Sequence, residues 1–420
     1  MSQALKIRSM CNRYAVPVME QPQLIYVLTE LTPGEGIANT RLPMNFALLL
    51  DHSGSMAGEK LRTMKEAVKN IIDQLGSEDI ISVITFESKT QVIAPAQPAR
   101  DKLELKRKID RIKDAGGTNM APGLREALKQ VVQQHREGRV SRIVLLTDGE
   151  ATDNEEDSRR VADEAGAWGI PIIGLGFGQD WNEEFLFDLA DRSILAAPGS
   201  RLGQADYIPA PKDANRIFQE VYQSMQVVAQ EVELTIRMVQ GLEARRVWQV
   251  TPLIKDLGYG VIQGRAIVIP VGQLEKGGAA YLAEIMLPPR PAGPVRIAQA
   301  EVSFSIPGQG AQRDAVDLVL QFTQDASLYN SMDGHVMNVV EKVQAFKLQT
   351  QALDEAQMGN VGSATRKLRQ AVTILLSQGE TELADRMQQE ADHLEQSGEI
   401  SSEGKKTIML TSRKTVRLSE

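Results

Sequence analysis

The sequence is almost without cysteine, and this scarcity excludes two kinds of structure. Cys11 is the only cysteine among 420 residues, so neither an intramolecular disulfide nor a thiolate zinc cage can form. The first 21 residues contain no apolar segment typical of a secretory signal. No run of about 18 apolar residues occurs anywhere, so no membrane-spanning helix is expected. These absences together predict a cytoplasmic protein without a membrane partner.

Positive charge is also scarce. The chain has 47 Lys and Arg against 55 Asp and Glu, which gives a net charge of −8. Proteins that bind nucleic acid generally need clustered basic residues to displace counterions, so no nucleic-acid partner is expected. No Walker loop is present, and the glycines at 174–178 lack the spacing and the position of a dinucleotide-binding fingerprint. The four histidines are scattered, so no histidine zinc site is predicted.

Between residues 43 and 229 short apolar runs alternate with amphipathic segments. The predicted strands are rich in Ile, Leu and Val, as strands covered on both faces are, and lie at 45–50, 80–86, 142–147 and 170–177. The predicted helices lie at 59–75, 103–112, 123–135, 155–169, 182–191 and 213–225. Strands joined by such helices form parallel crossovers, which predicts a doubly wound, Rossmann-like α/β domain. The run at 90–95 follows too closely for a crossover and predicts an antiparallel edge strand.

The periodicity of the apolar residues changes to two after residue 230. Residues 231–238 alternate apolar and polar side chains, and similar alternation continues to residue 322. This pattern predicts an antiparallel β-sandwich over 230–325. Two further strands, at 5–10 and 23–31, fall in the N-terminal segment 1–42. Because two strands alone are only marginally stable in water, we expect them to join the sandwich, with the α/β domain inserted between.

The helical period returns over residues 326–400, where no β-rich run occurs. The pattern predicts a long helix ending at Gly359 and Asn360, followed by two shorter helices that each end at a glycine. A C-terminal helical hairpin or bundle is therefore expected. The tail at 401–420 mixes basic and β-prone residues, and the sequence leaves open whether it is a docked strand or a disordered arm.

Oxygen-bearing side chains are gathered where the predicted parallel strands end. Asp51 ends the first strand and is followed by Ser53 and Ser55, while Asp148 follows the strand at 142–147. Thr118 lies on a glycine-containing loop before a helix. Ligands of doubly wound sheets bind at the carboxyl ends of the strands, so these side chains are expected to converge. An all-oxygen set suits a hard divalent cation, which we expect to be Mg²⁺, with Mn²⁺ or Ca²⁺ as possible substitutes.

The succession of Asp-x-Ser-x-Ser, a threonine and an aspartate resembles the metal-ion-dependent adhesion site of the von Willebrand factor A family, in its intracellular prokaryotic form. The resemblance covers about residues 43–228 and implies the sheet order 3-2-1-4-5-6. It implies that Ser53 and Ser55 ligate the metal directly and Thr118 directly or through water. Asp51 and Asp148 would act largely through water and hydrogen bonds.

The resemblance further implies that one metal position stays open for an acidic side chain of a partner protein. The rim around that position would include Gly117, Asn119 and Glu150. We therefore predict a non-enzymatic adaptor or scaffold that binds a partner's Asp or Glu through the metal. An alternative within the same family is a co-subunit of a separate AAA+ ATPase of the MoxR or metal-chelatase kind. The sequence leaves the partner, the pathway and the oligomeric state open.

An enzymatic alternative is Mg²⁺-dependent phosphotransfer at Asp51. Haloacid-dehalogenase-type phosphatases need a second aspartate two residues further on, and Ser53 stands there instead. His52 is adjacent to Ser53 in sequence, but neighbouring residues rarely face each other, so a structural role is expected for it. A non-enzymatic function is accordingly the prediction from the sequence.

Overall fold

The computed structural model describes residues 4–37, 42–149, 155–195, 203–306, 308–410 and 413. The chain forms two compact units. One consists of residues 42–226, and the other consists of residues 1–41 and 227–420. The domain boundaries drawn above from the sequence stay predictions. Across the described ranges, no helix combines the length and the apolar character that crossing a membrane requires.

The elements are numbered in chain order. The strands are β1 (Leu5–Cys11), β2 (Ala15–Pro17), β3 (Gln23–Pro33), β4 (Met44–Asp51), β5 (Ile80–Phe86), β6 (Thr90–Pro98), β7 (Val140–Thr147), β8 (Ile172–Phe177), β9 (Ala205–Ile208), β10 (Val227–Met238), β11 (Glu243–Thr251), β12 (Lys255–Gly258), β13 (Ile262–Gln263), β14 (Ala266–Glu275), β15 (Ala279–Leu287), β16 (Gly293–Ile306) and β17 (Gly310–Thr323). The helices are α1 (Glu59–Gln74), α2 (Lys102–Asp110), α3 (Met120–Val132), α4 (Glu155–Ala167), α5 (Glu183–Arg192), α6 (Ala214–Ser224), α7 (Ala326–Tyr329), α8 (Gly334–Gln357), α9 (Val361–Ser377), α10 (Thr381–Ser397) and α11 (Ser402–Leu410). Short 3₁₀ turns occupy Gly54–Met56 and Pro211–Asp213.

The unit of residues 42–226 is built on a six-stranded sheet in the order β6-β5-β4-β7-β8-β9. Its strands are parallel except β6, which pairs antiparallel with β5 at the edge. The doubly wound prediction and the antiparallel edge strand are confirmed, and the order reverses between β4 and β7. β9 was missed by the sequence analysis because it is only four residues long and contains the polar Asp206.

Close packing of α3 on this sheet sets the position of the loop that precedes it. A Cβ atom on Gly123 would lie 3.0 Å from Leu49 Cδ1 and 3.1 Å from Phe86 Cβ. Only a glycine lets the helix backbone approach β4 and β5 this closely without displacing a neighbour. The first residue of α3 is Met120, so the approach of the helix also places the loop containing Thr118.

The other unit contains two mostly antiparallel sheets around one apolar core. Their strand orders are β1-β3-β15-β11-β12 and β13-β14-β10-β16-β17-β2. Both predicted N-terminal strands belong to the first sheet, where β3 pairs with β1 on one side and β15 on the other. The core draws on both sheets, with Val27 and Ile285 from the first and Leu234 and Val302 from the second. The predicted β-sandwich is confirmed.

The helical part that follows consists mainly of α8, α9 and α10. α8 begins after Asp333, whose Oδ1 accepts the N–H of Val336 at 3.0 Å, as an N-cap does. α10 is followed by Gly398, which has the left-handed backbone (φ 80°) typical of the residue that caps a helix C-terminus. The prediction of a C-terminal helical module is confirmed.

The interpretation of the tail as a strand or a disordered arm is wrong for residues 402–410, which form α11. The hydroxyl of Ser401 accepts the N–H of Gly404 at 2.9 Å and so caps the helix. Ile408, Met409 and Leu410 are buried, and burial of such residues overrides their β-propensity. Residues 411, 412 and 414–420 lie outside the described part of the chain.

Candidate metal centre

Asp51 is the last residue of β4, and its side chain is fully buried at the carboxyl end of the sheet. Its Oδ1 accepts the backbone N–H of Ser53 at 2.8 Å, and its Oδ2 accepts the hydroxyl of Thr147 at 2.7 Å. Burial raises the pKa of the Asp51 carboxyl, the bonds from Ser53 and Thr147 oppose the rise, and the charge of Asp148 adds to it. A buried carboxylate of this kind gains stability from a nearby cation.

Hydroxyl groups connect the two predicted aspartates. The Oγ atoms of Ser53 and Ser55 lie 3.0 Å apart, and the Ser55 hydroxyl donates to Asp148 Oδ1 at 2.7 Å. Ser53 and Asp148 are buried, whereas Ser55 is exposed on the turn Gly54–Met56. The structure therefore brings four of the five predicted ligands into one hydrogen-bonded chain, and one of the four, Ser55, is an exposed residue.

The loop that contains Thr118 is attached by backbone bonds to the loop that follows β4. The N–H of Gly54 donates to the carbonyl of Gly116 at 3.3 Å, and the N–H of Ala115 donates to the carbonyl of His52 at 2.9 Å. Gly116 has φ +58°, a left-handed backbone conformation that favours glycine. Thr118, which is buried, is thus positioned beside the same end of the sheet as the two serines.

The structure describes two of the three residues predicted to surround the open metal position. The N–H of Gly117 donates to Ser88 Oγ at 2.9 Å, and the N–H of Asn119 donates to the carbonyl of Glu87 at 2.7 Å. Gly117 is exposed and Asn119 is half-buried, so both are placed where a partner could contact them. Glu150, the third rim residue predicted from the sequence, lies outside the described residues.

Two side chains in this cluster were missed by the sequence analysis. Thr147 directly precedes Asp148, and its bond to Asp51 links the ends of β4 and β7. Lys60, in the first turn of α1, donates to Asp148 Oδ2 at 2.5 Å, and its side chain is 27% exposed while that of Asp148 is 0% exposed. The sequence signal that could have identified Lys60 is its position as the first lysine or arginine after Asp51, nine positions further on, in the segment DHSGSMAGEK.

His52 makes a structural contact. Its Nδ1 lies 2.7 Å from the carbonyl oxygen of Lys113, and its backbone N–H donates to the carbonyl of Phe86 at 3.1 Å. Both contacts position the loop after β4, in keeping with the structural role expected for this residue.

The chemistry of the cluster fits a hard divalent cation. Its potential ligands are carboxylate and hydroxyl oxygens, the type that Mg²⁺ and Ca²⁺ prefer. Within the described part of the chain, no group of three or more His, Cys, Asp or Glu side chains is arranged to hold a metal. The softer ligand sets that select zinc or copper are therefore not found among these residues. The identity of the ligands stays a prediction.

Comparison with known sequences shows which protein domains this chain is similar to. Residues 45–196 match the profile of the von Willebrand factor type A domain, and residues 334–418 match that of the Sll0103-like, C-terminal alpha-helical domain. The uncharacterized protein sll0103 of Synechocystis sp. is 35% identical over 186 residues, which are 44% of this chain and 42% of that protein. Human inter-alpha-trypsin inhibitor heavy chain H3 is 30% identical over 161 residues, which are 36% of this chain and 18% of that protein. The similarity thus spans less than half of each relative.

Solved structures extend the similarity of the fold to nearly the whole chain. A von Willebrand factor type A protein from Catenulispora acidiphila superimposes with a TM-score of 0.73 and 20% identity, covering 99% of this chain and 98% of that one. The ArnB paralog VWA2 from Sulfolobus acidocaldarius gives a TM-score of 0.54 at 15% identity, covering 98% of each chain. At these identities the two structures establish a shared fold alone.

Proposed function

The chain belongs to the von Willebrand factor type A family through residues 45–196, and from this premise we propose that it is a non-enzymatic adaptor that captures a partner protein through a divalent cation. The observation that carries the proposal is the hydrogen-bonded chain from Asp51 through Ser53 and Ser55 to Asp148. It lies where β4 and β7 end side by side, at the reversal of the strand order. In open α/β sheets, ligands bind at this point.

The proposed cation is Mg²⁺, with Mn²⁺ or Ca²⁺ as substitutes. The hydroxyls of Ser53, Ser55 and Thr118 would hold it, and Asp51 and Asp148 would balance its charge. When bound, the cation supplies a positive centre that attracts an Asp or Glu side chain of the partner. Lys60 supports this function because its charge offsets one of the two carboxylates, so the loaded site keeps a net positive charge. Neutral hydroxyl ligands likewise leave that charge available to a third carboxylate.

The surroundings of Asp51 argue against phosphotransfer. A nucleophilic aspartate needs an oxygen that a substrate can reach, but the Asp51 side chain is fully buried. Both of its oxygens also accept hydrogen bonds from the protein. A partner-binding role, which needs only the charge of Asp51, is compatible with this arrangement. The cytoplasmic location expected from the sequence stays a prediction.

The proposal is tested by Mg²⁺ titration and by capture of partners from a lysate. Calorimetry should give one weak Mg²⁺ site, weakened about tenfold or more in Ser55→Ala, because the variant loses a hydroxyl ligand but no buried group. Thr63→Ala is the matched control, since it removes a hydroxyl that only bonds backbone carbonyls within α1. Partners identified by mass spectrometry should be captured with Mg²⁺ and lost with EDTA or in Ser55→Ala.

Capture that is equally strong in EDTA and in Ser55→Ala would refute a metal-dependent mode of binding. An AAA+ ATPase among the EDTA-sensitive partners would favour the co-subunit alternative. Phosphatase activity that depends on Mg²⁺ and is lost in Ser55→Ala would instead support the enzymatic alternative.

A further inference from the structure

A polar cavity lies at the end of the α/β sheet opposite to the metal cluster. It has a volume of about 210 Å³ and is lined in part by Arg100, Arg136 and Arg139, together with Ser77 and Gln134. These residues belong to the loops before β5 and β7 and after the antiparallel β6, so the cavity is at the amino ends of the parallel strands. The eight residues of β7 separate it from the metal cluster by roughly 25 Å, at about 3.3 Å per residue.

Arg139 is the central feature of this cavity because its charge is buried and poorly satisfied. The residue is 7% exposed. Its Nη1 and Nη2 reach the carbonyls of Gln134 and Glu78 only at 3.5 Å, whereas ordinary N–H···O bonds are about 2.9–3.0 Å long. Its Nε has no hydrogen-bond partner among the described residues. A buried guanidinium offers five N–H donors, and leaving them unsatisfied is costly.

The charges around Arg139 leave a positive balance. Arg136 is exposed, and Arg100 is 71% exposed and lies 3.8 Å from the equally exposed Glu78 carboxylate. The nearby Asp79 carboxylate instead accepts the N–H groups of Met44 and Gly76 at 2.9 and 2.7 Å. Burial and then the charge of Arg136 lower the pKa of Arg139, with Glu78 and Asp79 opposing them. An anion in the cavity would relieve both the repulsion and the missing bonds.

We propose that this cavity is a binding site for an oxyanion of the phosphate type. Three arginines from two loops line it together with Glu78, and a guanidinium can donate paired N–H bonds to oxygens. A tetrahedral anion presents oxygens in several directions and can meet them together, while a planar carboxylate has only two. The Ser77 hydroxyl adds a neutral donor at the same opening. This site is independent of the proposed cation and of its partner.

The test is calorimetric titration of the full chain with inorganic phosphate, in excess EDTA and against chloride at equal ionic strength. EDTA removes divalent cations, so phosphate cannot bind through a metal ion at the metal cluster. We expect saturable binding with a Kd of about 0.1–1 mM. Arg139→Lys, which keeps a charge but loses the planar fork, should weaken binding about tenfold or more, and Arg136→Gln about three- to tenfold.

Arg125→Gln is the matched control. Arg125 is 57% exposed on α3 and pairs with Glu164 at 3.6 Å, so phosphate affinity should stay within about twofold of the wild type. If Arg139→Lys fails to fold, the exposed Arg136→Gln decides the question. Glycerol phosphate, titrated in parallel, should bind more tightly if the natural ligand is an organic phosphate and no more tightly if it is the free anion. Absence of saturable phosphate binding by the wild type would overturn the proposal. Phosphate affinities of both Arg139→Lys and Arg136→Gln equal to that of the wild type would overturn it as well.

Discussion

Replacing Lys60 by methionine should have opposite effects on the metal-free and the metal-loaded protein. Methionine keeps an unbranched side chain of similar length but removes the charge that pairs with Asp148 at 2.5 Å. Asp148 would then be a fully buried carboxylate that keeps the side-chain hydrogen bond donated by Ser55 at 2.7 Å. Without a cation, the free energy of unfolding should therefore fall.

The size of this loss follows from the burial of the pair. Exposed ion pairs contribute about 0–1 kcal/mol, while breaking a fully buried pair costs about 3–5 kcal/mol. Asp148 is 0% exposed and Lys60 is 27% exposed, so a value of about 2 kcal/mol is expected. For a unit the size of residues 42–226, this corresponds to a fall in Tm of about 4–8 °C in EDTA.

The same substitution should strengthen the binding of Mg²⁺. The substitution removes the positive charge that Lys60 places beside Asp148, so the site attracts a dication more strongly. Two unit charges about 4 Å apart interact by about 1 kcal/mol in water, and by more near a protein surface. For a dication next to a partly exposed lysine, we expect an increase in Mg²⁺ affinity of about tenfold. Saturating Mg²⁺ should then restore most of the lost Tm.

The assay combines scanning calorimetry in EDTA and in Mg²⁺ with isothermal titration of the metal. Lys69→Met is the control, because Lys69 is on the same helix and pairs at 2.8 Å with Asp110, which is 58% exposed. It should change neither Tm nor Mg²⁺ affinity appreciably. Unchanged or weakened Mg²⁺ binding in Lys60→Met would refute the idea that Lys60 opposes the cation. Equal destabilisation of Lys60→Met with and without Mg²⁺ would show that Lys60 contributes to packing alone and not to the charge balance of the metal site.

Three further predictions concern the rest of the chain. Cys11 is only partly buried, but desolvation raises the pKa of its thiol to about 12. Iodoacetamide at pH 8 should therefore label the native protein much more slowly than the unfolded chain, and equally rapid labelling of both would contradict this. Deleting residues 1–33 removes β1, β2 and β3, which leaves β15 without its neighbour β3. This deletion should make the chain insoluble, whereas residues 42–226 alone should fold cooperatively. A soluble deletion variant would argue against that dependence. Gly203→Ala places a Cβ 2.4 Å from the Ala190 carbonyl carbon and should lower the free energy of unfolding by about 1–3 kcal/mol. The control is Gly362→Ala, which has open space around the added Cβ and should leave the Tm unchanged or raise it.

Much of the fold could be predicted from the sequence, because the local pattern of apolar and polar residues matches the burial of those residues in the structure. Every residue of β4 is buried, and this burial on both faces is what its continuous apolar run predicted. The alternation in β10, with Leu234 and Ile236 buried and Glu233 and Arg237 exposed, likewise matches a strand with one face in the core. The spacing from Asp51 to Ser55 could be placed at a strand end for the same reason, since a parallel sheet gathers its carboxyl ends at one edge.

Other features depended on contacts between residues far apart in the chain. The helix α11 forms where β-prone residues are buried, and a local pattern cannot show that burial. The pairing of Lys60 with Asp148 joins positions 88 residues apart, and the bond from Thr147 to Asp51 joins positions 96 apart. Arg139 resembles any other loop arginine until the fold buries it at 7% exposure. The sequence by itself determined which side chains end the strands, whereas the tertiary structure decided which charges face one another, because desolvation and pairing arise only when distant segments pack together.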